Sequence, residues 1–265
     1  MRKIDAKLLK RLTEGDLLPL LNYIKADNEL RLEVRSKGEA FVYYRKGKAL
    51  EIRNLKVDKK YGNVPPTELA VSNPSEYFKK IKQSIDNWLG RNKNRAEFDT
   101  QQNIARFNQS KDNKYIIIDM EYAFEQKMMK KDERVKKAVF DLLGIDQESG
   151  QIVFFEVKKG MNATKGKSGI DDHIKDFNTF IKGKNSAYFK ENLFQDVENI
   201  ILDKQKLGLL SDFKIPRNLR KHIPGLIFVF HPDNDSEIQK FKNELKNRAR
   251  LILVSNNNYK LNLKQ

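Results

Sequence analysis

Phe140–Gly160 reads FDLLGIDQESGQIVFFEVKKG. Two apolar segments flank the polar run DQESG, the pattern of a β-hairpin. Side chains alternate across a strand, so Ile152, Phe154, Glu156 and Lys158 share one face, and Val153, Phe155 and Val157 fill the other. Both faces are largely apolar, which predicts a central strand. A carboxylate buried there without a partner is costly, so Glu156 needs a cation or a metal beside it. If the hairpin closes at QESG, Asp141 comes to lie next to Glu156.

Two adjoining carboxylates raise each other's proton affinity and repel unless a cation intervenes. Mg²⁺ suits such a pair, because it takes oxygen ligands at about 2.1 Å and keeps places for water and phosphate oxygens. Lys158, one step along the same face, could hold an attacking water or offset phosphate charge. Together these groups have the means for metal-assisted phosphodiester hydrolysis. The plainer alternative is a salt bridge between Lys158 and Asp141 or Glu156 that caps an ordinary sheet.

Composition narrows the partner. The chain has 265 residues, room for one large domain or two smaller ones, and 39% of them are hydrophobic, enough for a core. No apolar run approaches the roughly 20 residues that cross a bilayer, so no membrane partner is expected. The N-terminal MRKIDAKLLKRL breaks its apolar residues with charges and does not read as a secretory signal. Zero cysteines exclude disulfides, thiolate zinc sites and cysteine nucleophiles, and a cytoplasmic location is expected. The 52 basic and 36 acidic residues leave a formal net charge of +16, which favours polyanions. Nucleic acid is the expected phosphodiester, DNA favoured over RNA. A lysine-rich surface that only maintains solubility is the competing reading of the charge.

The rest of the chain predicts an α/β fold with a mixed central sheet flanked by helices. Leucines at helical spacing over residues 5–25, interrupted at Gly15, precede three short strands separated by Lys-Gly turns. The stretch YGNVPPTE, with Gly62, Pro65 and Pro66, marks an expected boundary, making residues 1–70 a small accessory α+β module. In NPSEYFKKIKQSIDNWLG, Asn73 is placed to cap a helix and Glu76 stands three residues on. Beyond that helix the pattern gives a more polar helix, strands at 114–124, 138–145 and 151–159, and two helices. A buried strand at 225–230, another helix and a last strand complete it. A run of antiparallel strands followed by helical crossovers implies a mixed sheet.

With Asp141 on one strand and FFEVK, carrying Glu156 and Lys158, on the next, the chain resembles the PD-(D/E)XK nuclease superfamily. The resemblance covers about residues 73–231 and includes the α-β-β-β-α-β order. It implies a restriction-endonuclease-like core, a nuclease domain over residues 71–265, and Mg²⁺ or Mn²⁺ held by Asp141 and Glu156. Lys158 would stand near the nucleophilic water. Phe140, where many members have proline, is the departure from the motif. The family often adds another acid, for which Glu121 is the favoured candidate, with Asp119 and Glu97 behind it. Lys159, Lys165 and Lys167 in the glycine-rich loop after the third strand, with His173 beyond it, are candidate nucleic-acid contacts. The loop lacks Walker spacing. A nucleic-acid-binding or assembly protein on a nuclease-like fold is the second functional reading.

Overall fold

The computed structural model describes residues 1–91, 96–123, 139–166, 168–183 and 186–262. It divides the chain into two units, Met1–Gln102 with Gln195–Lys214, and Asn103–Phe194 with Ile215–Gln265.

The first unit carries helices α1 (Ala6–Glu14) and α2 (Leu18–Ala26), then strands β1 (Leu30–Val34), β2 (Ala40–Tyr44) and β3 (Gly47–Glu51). Asp5 caps α1 by accepting from the Lys7 and Leu8 amides, and Gly15 ends that helix, as the interrupted leucine pattern predicts. The strands form the expected antiparallel meander. A short α3 (Leu69–Ser72) leads to α4 (Pro74–Gly90), capped by Asn73, whose side chain accepts from the Glu76 amide. The α4 face bearing Tyr77, Phe78, Ile81 and Ile85 is buried, and Tyr77 donates its hydroxyl to the Ala49 carbonyl of β3. The Pro65–Pro66 stretch, expected as a boundary, therefore lies inside this unit. Helix α5 (Ala96–Phe107) begins in the first unit and ends in the second.

Residues from far along the chain return to complete this unit. Asp196, Asp203 and Lys204 belong to the later half of α7 (Ser186–Lys206). Asp203 accepts from the Ile4 amide at 2.7 Å, and Lys204 donates to Glu33 at 2.6 Å. Glu33 is fully buried and also receives Arg31 at 2.7 Å. Burial opposes its ionisation, but Lys204, Arg31 and Arg35 outweigh that and bring its pKa down to about 2.

The second unit holds a five-stranded mixed sheet in the order β4 (Tyr115–Ala123), β5 (Val139–Asp146), β6 (Ile152–Lys159), β7 (Gly225–His231), β8 (Arg250–Leu253). The first three strands are antiparallel and the last three parallel, with helices α6 (Ile170–Lys182), α7 and α8 (Ser236–Leu245) in the connections. This is the expected α/β arrangement with β6 at the centre. On one face Val153, Phe155 and Val157 pack with Ile104, Tyr115, Met120 and Leu142. On the other, Phe154 meets Phe177 and Phe180 of α6, and Phe230 stacks on Phe241 of α8. The β5–β6 hairpin closes through Asp146, whose side chain accepts from the Glu148 and Ser149 amides. Gly150 takes the left-handed conformation at that turn, with φ +75°.

Candidate active site

The face of β6 that carries Glu156 and Lys158 is the face roofed by α6 and α8. The parallel register sets Glu156 beside Phe228 and Lys158 beside Phe230, so aromatic neighbours exclude water from both. Glu156 is fully buried and Lys158 is 4% exposed. Among the described residues neither Glu156 carboxylate oxygen meets the geometry of a hydrogen bond, and His173 is its near neighbour. His173, in the first turns of α6, brings Nδ1 to 3.2 Å from Glu156 Oε2, within ion-pair range. Burial, and then the charge of Asp141, push the Glu156 carboxyl up to about 7; His173 and Lys158 pull the other way. Burial also opposes a charged His173, but Glu156 outweighs it and raises the imidazole above its ordinary value.

Asp141 reaches this neighbourhood by an irregularity rather than by regular alternation. The β5–β6 ladder pairs Leu142 with Phe155, and one residue further on Asp141 Oδ2 accepts from the Val157 amide at 3.0 Å. Met120 and Leu142 join the cluster of Phe155 and Val157. Two residues away, Tyr122 and Phe140 pack against Phe154, on the opposite face. Residues two apart in a regular strand share a face, so both strands change face at Glu121 and Asp141. Glu121 has φ +55°, left-handed backbone that is costly for a side chain with a Cβ. The change of face re-aims Asp141 toward the β6 backbone beside Glu156. Bulges and kinks of this kind are enriched next to active sites.

The other expected residues are dispersed. Asp119 is fully buried and pairs with Leu143 just after a bulge in β4. Glu97 stands in the first turn of α5 and belongs to the first unit. Lys159 bonds Asp233 at 2.9 Å and lies 3.0 Å from His231 Nδ1, a polar network at the end of β6 and β7. Lys165 lies 3.4 Å from Glu244 and lines a cavity of about 370 Å³ with Asp171, Lys246 and Arg248. Lys167 falls outside the described residues. His173 is drawn inward to the two motif residues.

Lys158 is held differently from the salt bridge that its sequence neighbours suggest. Its Nζ donates to the Ser168 carbonyl at 3.1 Å and lies 3.2 Å from His173 Nε2. Among the described residues Lys158 forms no ion pair. Ser168 itself gave no sequence signal, because a main-chain carbonyl can come from any residue type.

The donor set fits a hard divalent cation: a buried carboxylate whose oxygens form no well-aligned hydrogen bond among the described residues, and a second carboxylate close enough to raise its pKa. Among the described residues no three His, Asp or Glu side chains gather in a way that could hold a metal. Mg²⁺ commonly uses one or two carboxylates and water, so a pair is a sufficient protein contribution. Compared with known proteins, the chain matches no protein-family model, no curated protein and no solved structure.

Proposed function

We propose that the chain is a divalent-metal-dependent nuclease with a restriction-endonuclease-like core, hydrolysing phosphodiester bonds in nucleic acid, DNA in preference to RNA. The observation that carries this reading is Glu156, fully buried near Asp141, with no carboxylate hydrogen bond of good geometry among the described residues and only His173 at ion-pair distance. Such a carboxylate is expensive as a structural element and useful as a ligand. The order of a helix, three antiparallel strands, helices α6 and α7 and the parallel β7, together with the +16 charge, supports the same reading.

Asp141 and Glu156 would hold Mg²⁺ or Mn²⁺. When bound, that ion would polarise a phosphate oxygen and lower the pKa of its water. The protein's own contribution is positional. The aromatic flank of Glu156 keeps bulk water away, and Lys158 presents a buried ammonium for the attacking water or the scissile phosphate. The sixteen excess positive charges would draw the polyanion in.

The second reading, a non-catalytic nucleic-acid-binding or assembly protein, draws support from His173, which gives Glu156 an internal cationic neighbour without any metal. Incubation of plasmid, linear and single-stranded substrates with Mg²⁺ or Mn²⁺, with EDTA as control, separates the two. The nuclease reading expects cleavage that EDTA abolishes. Binding without cleavage of DNA or RNA would favour the second reading.

A further inference from the structure

Lys158 and Glu156 stand two residues apart on one strand face, in a site from which water is excluded. Opposite charges so placed attract strongly in a low-dielectric setting, and a direct ion pair would occupy both groups. The ring of His173 stands at both instead, with Nδ1 3.2 Å from Glu156 Oε2 and Nε2 3.2 Å from Lys158 Nζ. The other partner of Lys158, the Ser168 carbonyl, comes from the same short stretch of chain. Ser168 has φ +69°, a conformation that side chains with a Cβ rarely adopt, and its amide donates to Asp172 Oδ2 at 3.1 Å. Local strain that surrounding contacts maintain is a recurrent feature of working sites.

From this geometry we propose that the Ser168–His173 turn is the positioning device of the site, with His173 a rigid spacer that holds the Lys158 ammonium off Glu156 and aims it. The consequence for catalysis rests on the nuclease reading; the spacing of Lys158 does not. His173 acts through Lys158 and is a positioning residue. An imidazole suits the task, since its two ring nitrogens are held in a flat, stiff ring with outward directions that diverge widely, so each can face a different partner.

The test uses the full chain and the variants His173→Ala, His173→Gln and His173→Asn, each checked for folding by melting. Glutamine places a polar atom near the position of Nε2 and can accept from Lys158; asparagine reaches only as far as Nδ1. In single-turnover cleavage His173→Ala should lower the rate constant about 10- to 100-fold, the range seen when groups that orient a site are removed, with substrate affinity within about 3-fold. His173→Gln should recover most of that loss and His173→Asn little of it. A second readout is independent of activity. Acylation of Lys158 by an amine-reactive ester, followed by peptide mass spectrometry, should change severalfold in His173→Ala and return toward the wild-type level in His173→Gln. Unchanged Lys158 labelling in all folded variants overturns the proposal, as does equal recovery by Asn and Gln. If the wild-type chain does not cleave while labelling responds as stated, the nuclease reading fails and the spacer role stands.

Discussion

A lysine with 4% exposure and no carboxylate partner among the described residues has to be accounted for by what it does. If it serves the reacting centre, Lys158→Ala should reduce single-turnover cleavage by about 10²–10³, the common cost of deleting one electrostatic stabiliser there. Its melting temperature should stay within a few degrees of wild type, because no ion pair is broken. A large fall in melting temperature with cleavage per folded molecule unchanged would make Lys158 structural instead. The burial of Glu156 and Lys158 was legible from the alternation of FFEVKK alone. The lysine's actual partners were not. One is a backbone carbonyl, and the other reaches it only because α6 lies across that face of the sheet.

Strands β4 and β5 show where alternation stops being a guide. Read as regular strands, IIIDMEYAF and AVFDLLGI place Asp141 on a fixed face. A bulge near Ile118 and the left-handed Glu121 undo that bookkeeping, and both strands change face at the level of Asp141. Such features follow from tertiary demand and leave no composition signal, whereas the turn at Gly150 and the cap at Asn73 announced themselves through residue type. The strain has a measurable consequence. Left-handed backbone costs a residue with a Cβ roughly 1–2 kcal/mol relative to glycine. Glu121→Gly should therefore match or exceed wild-type stability in urea unfolding, while Glu121→Val should lose about 1 kcal/mol or more. The opposite order would show that Glu121 is held there without strain.

Over the molecule as a whole, the sequence predicted the α/β class, the order of the elements and the meander. The sequence suggests a first module over residues 1–70 from Gly62, Pro65 and Pro66, whereas the first unit of the structure also takes in α4. The return of Asp203 and Lys204 to that unit was also hidden, since pairing across such a sequence separation is set by the fold. Glu33 makes this return testable. Its folded pKa of about 2 lies below the ordinary 4.5, so its stabilisation is present above pH 4.5 and is lost as pH falls toward 2. Trp88, the single tryptophan, belongs to the same unit and reports on its unfolding by fluorescence. Wild type should lose stability between pH 4.5 and 2.5 more steeply than Glu33→Gln. Lys204→Met, which leaves the Glu33 charge short of a partner, should cost about 3–5 kcal/mol at pH 7. Parallel acid limbs for wild type and Glu33→Gln would contradict this account of the first unit.

The functional reading turns on the buried Glu156 and the half-buried Asp141 beside it, and Mn²⁺ binding addresses that pair without reference to any substrate. Calorimetric titration of the full chain at pH 7.5 should show Mn²⁺ binding that Glu156→Gln and Asp141→Asn each weaken by at least tenfold. Both variants should remain folded, because each removes a charge from a repulsive pair of carboxylates. Equal Mn²⁺ binding by wild type and Glu156→Gln, or none by the wild type, would contradict the account: Glu156 would then be a buried acid held by His173, and the site would not be a metal centre.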